Sequence, residues 1–210
     1  MKINKKNYFN TPDQKMNEKI SNRMEGKTKE KRSFQNTLTK KIATAAIFMA
    51  VGVVLGHLNP FAFIPIIGAK IFPFAHFING ITGVLIGLAF STTTALGIAI
   101  IRFSLALGSI HAFHGHISGA IIVSLSAYFL WKYKPKYVDL AALTEPLGTV
   151  FIAGTIGAAI QGTFSLEGVL SFWGLFALSS IPGCVLGYIT LKILRRTGIT
   201  REDFIQQLKS

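Results

Sequence analysis

Apolar residues fall into six blocks along the chain, separated by short polar joints. The blocks cover residues 42–58, 74–90, 95–108, 117–131, 140–160 and 169–194. The joints after the second block read STTT, SIHAFHGH, KYKPKYVD and QGTFSLEG. A helix needs about 20 apolar residues to cross roughly 30 Å of hydrocarbon. The pattern predicts an all-α integral membrane protein, a bundle of six transmembrane helices. Residues 61–71, between the first two blocks, are too few to span and read as a re-entrant or surface loop.

Composition agrees with this pattern. Of 210 residues, 50% are hydrophobic and 15% charged, against about a quarter charged in soluble domains. The net charge is +13, and residues 1–41 hold 12 Lys/Arg against 4 Asp/Glu, so +8 of it lies there. Residues 1–39 are basic and polar, with little to bury, and read as a disordered cytoplasmic extension. Residues 40–196 form the membrane domain. Residues 197–210 form a short cytoplasmic tail, where Thr200 and Asp203 have the spacing of a capping box.

Charge also sets orientation. Lys40 and Lys41, then Lys132, Lys134 and Lys136, then Lys192, Arg195 and Arg196 fall on one side of a six-span bundle. The opposite joints carry Lys70 and Glu167. The positive-inside rule then places both termini in the cytoplasm. Orientation accounts for the basic excess, so nucleic acid is not the expected partner. The chain has one cysteine, Cys184, which excludes an intrachain disulfide and reads as a small packing residue.

Helices in lipid associate through small residues. Ala43, Ala46 and Ala50 share a face of the first helix, and Gly183 and Gly187 one of the sixth. His76, Asn79, Gly80, Gly83 and Gly87 share a face of the second.

Polar residues inside apolar blocks are the candidates for chemistry. The stretch GAKIFPFAHFING, residues 68–80, contains Lys70, Pro73, His76 and Asn79. His76 and Asn79 are one turn apart, so the stretch is expected to line a cavity open to the outside. Phe72, Phe74 and Phe77 would cap it. Arg102 is expected near mid-depth, where an arginine costs about 2.5–3.5 kcal/mol, so it should face inward. Glu145, the carboxylate well inside a span, is its expected partner, as a structural ion pair or in contact with a ligand. HAFHGH supplies His111, His114 and His116, a set that could hold a transition metal, although loop histidines at a membrane surface need none. GKT at residues 26–28 lacks the upstream glycine and strand of a phosphate-binding loop. No nucleotide site or other cofactor is expected in this chain.

AKIFPFAHFINGITGVLIG, the arginine of the third block, GSIHAFHGHISGA and TEPLGT together resemble the ThiW family. That family comprises substrate-binding S components of energy-coupling-factor vitamin transporters. The resemblance implies a six-helix bundle in a bacterial or archaeal plasma membrane. It would bind a small thiamine precursor from outside, with hydroxyethylthiazole the expected ligand. It also implies a separate transmembrane T component and two cytoplasmic ATPases that consume the ATP. Ala46 and Ala50 match the AxxxA motif by which S components dock the T component, and Ala43 extends it.

For such a ligand, aromatic side chains would sandwich the ring while polar groups orient it. Phe72, Phe74 and Phe113 are the stacking candidates, with Trp173 behind them. His76 and Asn79 are the expected hydrogen-bonding groups, Lys70 a gating or binding group, and His114, Arg102 and Glu145 further contacts. Three rivals remain open. One is an S-type component for a metal ion or another vitamin precursor. The others are an intramembrane enzyme using Glu145 and histidine, and a stand-alone secondary transporter.

Overall fold

The computed structural model describes residues 12–60, 65–66 and 69–205. Helix α1 (Pro12–His57) is one continuous element of 46 residues. Residues 12–39, where composition predicts disorder, belong to the same helix and stand almost wholly exposed. Strong helix formers dominate there, and Glu25 and Lys29 pair at 2.7 Å one turn apart, which favours helix without burial.

After α1, strands β1 (Pro65–Ile66) and β2 (Ala69–Lys70) pair antiparallel. The Asn59 amide donates to the Ile71 carbonyl at 2.7 Å and ties the two ends of this loop together. Then follow α2 (Pro73–Leu85), α3 (Leu88–Ser104) and α4 (His111–Tyr133). The next segment, Pro135–Ile160, is compound. It starts as 3-10 helix (Pro135–Thr144), widens to π-helix (Leu147–Ala153) after Pro146, and ends as α5 (Gly154–Ile160). Helix α6 (Leu166–Arg196) completes the bundle.

Six helical segments thus occur in the expected order. Four stretches, Lys15–His57, His111–Tyr133, Pro135–Ile160 and Leu166–Arg196, are long and apolar enough to cross a membrane. Helix α3 has 17 residues and α2 only 13. At 1.5 Å per residue, α2 covers about 20 Å. Its shortness goes with enclosure, because nearly all of its residues are buried. Gly183 and Gly187 of α6 let the two helices touch. A Cβ at Gly183 would collide with the Pro73 carbonyl and lie 2.7 Å from the His76 Cβ, and one at Gly187 would lie 3.1 Å from the Phe77 carbonyl oxygen. The bundle's outside is apolar, with Leu88, Ile100, Phe129, Leu178 and Ile189 exposed, as a lipid-facing surface requires.

Helix α3 stops at Ser104, short of the expected residue 108. The Leu107 and Gly108 amides fold back onto the Arg102 carbonyl at 2.8 and 3.1 Å. Arg102 therefore lies in the last turn of α3, at the site end of the bundle, and not at mid-depth.

The opposite end carries the basic clusters. Asp139, buried there, accepts two hydrogen bonds of 2.7 Å from the Arg195 guanidinium, with Lys192 at 3.4 Å. Beyond α6 the chain folds back under the bundle. Thr200 and Asp203 form the expected capping box on a 3-10 turn, Arg201–Asp203. The buried Arg201 donates from Nη1 to the Gly83 and Val84 carbonyls at the C-terminal end of α2. Burial lowers its pKa to about 10, which leaves it charged at neutral pH. Phe204 packs on the core formed by Ile81, Val84, Leu85, Val123 and Leu191.

Candidate functional site

Glu145 lies at the junction between the 3-10 and π-helical stretches and has no exposed surface. A buried carboxylate needs donors on its lone pairs. His76 Nδ1 lies 2.7 Å from Oε1, a bond made by the Nδ1–H tautomer or by the imidazolium. Asn79 Nδ2 donates to the same oxygen at 3.2 Å and to the His116 carbonyl at 3.0 Å. The Thr149 hydroxyl reaches Oε1 at 2.6 Å and the Gly115 carbonyl at 3.0 Å. Ser180 donates to Oε2. Side chains from α2, α6 and the π-helical stretch thereby converge on one acid. Gly119 of α4 makes room for it, since a Cβ there would collide with Oε1 and with the Thr149 hydroxyl.

The Arg102–Glu145 ion pair expected from sequence is not formed. His76 takes the carboxylate, and Arg102 comes from another direction, at the end of α3. The Arg102 guanidinium carbon lies 3.7 Å from the Phe72 ring centroid, within cation–π range. Its Nη2 donates to the Leu107 carbonyl at 3.1 Å, and Nη1 is 3.4 Å from His116 Nε2. Phe72 and the His116 ring stack at 6.1 Å. The Phe72 amide donates to Ser179 Oγ at 2.9 Å, which fixes the entry to α2 against α6.

These groups surround a cavity of about 40 Å³, with Phe72, His76, Arg102, His111, His116 and Phe176 among its walls. Ala112 and Gly115 of α4 and Leu175 and Ser179 of α6 also line it. The cavity has room for a small cluster of waters. Its surface combines two aromatic rings with one guanidinium and three imidazoles.

Other expected residues lie elsewhere. Asn79 binds Glu145 and backbone behind His76, so it positions the wall and does not line it. Phe74 meets Phe72 edge-on at 5.9 Å, outside the lining. Phe113 turns to Phe103 at 5.6 Å. Trp173 packs on Phe151 at 4.9 Å and donates to Thr155. Phe77, expected as a cap, packs on the core at the basic end instead. Lys70 is placed by its backbone, and its side chain lies outside the described residues.

His114 Nε2 lies 3.0 Å from His111 Nδ1, and its ring packs on Phe176 at 5.7 Å. His111 Nε2 meets Gln161 at 2.9 Å. His116 faces Arg102, away from that pair, and among the described residues no three His, Cys, Asp or Glu side chains converge as metal ligands. Thr149, Ser179, Ser180 and Phe176 are site residues that the sequence did not reveal. Small hydroxyls and one more phenylalanine in an apolar helix give no signal of their own.

A family model, that of the thiamine-precursor transporter protein ThiW, matches residues 42–197. No curated protein and no solved structure matches the chain.

Proposed function

The chain belongs to the ThiW family of thiamine-precursor transporter proteins, and from that premise we propose that its cavity captures a thiazole-type precursor, hydroxyethylthiazole in the first instance, from outside the cell. The observation that carries this reading is the lining of the half-open cavity, where rings and polar groups converge. Phe72 and Phe176 offer faces for a flat ring, with His76, His111 and Ser179 beside them to orient it. The pocket lies at the end of the bundle opposite Asp139, Lys192 and Arg195, which supports an outward opening under the positive-inside rule. On this reading the bundle crosses the membrane six times, with both termini cytoplasmic.

The chain then acts as a substrate-binding subunit that depends on a transmembrane T component and two cytoplasmic ATPases. Ala43, Ala46 and Ala50 are exposed on α1, while Ala45 between them faces the core. Such a flat strip supports docking of a partner helix.

Calorimetric titration of detergent-solubilised protein with hydroxyethylthiazole, the pyrimidine moiety and whole thiamine tests the ligand class. The thiazole should bind and the pyrimidine should not. Ala112→Phe, which puts a ring into the cavity without removing a hydrogen bond, should abolish binding and leave the helical content unchanged. Undiminished affinity in that variant would place the ligand elsewhere.

A further inference from the structure

Arg102 is 2% exposed and lines the cavity, yet it meets no carboxylate. It meets a phenyl face, one carbonyl oxygen and an imidazole nitrogen. Its Nε has no hydrogen-bond partner among the described residues. Dipoles and a π face offset part of the cost of burying a guanidinium, but they do not neutralise it.

No acid in the sequence is placed to pair directly with Arg102. The sequence has nine Asp and Glu. Asp13, Glu18, Glu25 and Glu30 lie on the exposed first half of α1. Asp139 is held by Arg195 and Lys192 at the far end, and Glu202 and Asp203 belong to the C-terminal turn. Glu167 is exposed in the first turn of α6. Glu145 remains, and its two oxygens are taken by His76, Asn79, Thr149 and Ser180. Residues 1–11, 61–64, 67–68 and 206–210, outside the described set, contain no Asp or Glu.

We infer that the ligand brings the counterion: the cavity is built for a small aromatic ring bearing an oxyanion, a phosphate monoester or a carboxylate, that pairs with Arg102. Guanidinium presents five N–H donors in a plane that matches both groups, and at most two of them are engaged here. His116, whose Nε2 lies 3.4 Å from Arg102 Nη1, adds a polar ring at the same wall. A neutral alcohol would leave the guanidinium without a counterion. The inference rests on the proposal that this cavity takes a thiazole, but the charge and the ring are separable.

Binding of three thiazoles of one ring structure decides the matter: the hydroxyethyl alcohol, its phosphate monoester and a ring carboxylate. The pyrimidine alcohol and its phosphate monoester form a second series. In the wild-type protein the preferred anion should bind at least tenfold tighter than the matching alcohol, and which anion wins identifies the oxyanion. Arg102→Gln should bring that ratio to about one, and a ratio taken within the variant cancels any general loss of affinity. If every thiazole fails and the pyrimidine pair binds, the thiazole reading falls, and the ester-to-alcohol ratio of that pair still decides the charge. Wild-type protein that binds no anion better than its alcohol overturns the inference, whether or not the variant folds.

Discussion

Glu145 sets most of the local order at the site. A fully buried carboxylate is tolerated only where donors are already in place. Here His76, Asn79 and Thr149 meet Oε1, and Ser180 donates to Oε2. Gly119 is the most sensitive neighbour because its missing Cβ is the space Glu145 occupies. Gly119→Ala should cost about 1–3 kcal/mol through forced displacement of packed groups and should weaken ligand binding as His76 shifts. Thermal unfolding in detergent, with and without ligand, measures both. Wild-type values for the variant would show that the carboxylate has slack. The sequence made His76, Asn79, Arg102 and Glu145 visible as polar intruders in apolar blocks, and the fold brings all four to one region. It could not show that His76 and not Arg102 would meet the acid, because both were available. Thr149 and Ser180 stayed hidden, since hydroxyls in apolar helices commonly bond their own preceding turn, as Ser124 and Thr155 do here.

At the scale of elements, the order of the helices was legible and their lengths were not. Block length counts apolar residues whether they face lipid or protein, so α2 read as a full span although it is short and enclosed. The compound segment Pro135–Ile160 changes helix type around Pro146, which no count of hydropathy reports. Helix α1 differs from α2 in presenting much of its apolar surface outward, with Ile47, Val51 and Val54 exposed beside the alanines. On the proposed partnership with a transmembrane T component, Ala46→Trp with Ala50→Trp should leave ligand affinity unchanged and prevent co-purification with that partner. A double variant that still assembles would move the docking face to another helix.

For the whole molecule, the separation of the cavity from the basic end is the feature that transport must exploit. Orientation can be tested directly because Cys184 is the single cysteine in the chain. On a Cys184→Ala background, Ser104→Cys marks the cavity end and Lys134→Cys the basic end, both at exposed positions. An impermeant maleimide applied to intact cells should label the first, and should reach the second only after lysis. The reverse pattern would turn the bundle over and end the case for uptake from outside. The enclosure of α2 bears, finally, on how such a bundle is made. The walls that shelter His76 and Asn79 come from α4, the segment Pro135–Ile160 and α6, all of which leave the ribosome later than α2. Until α6 has emerged, the nascent chain has nowhere dry and polar to seat them, so this polar cluster can close only late in synthesis.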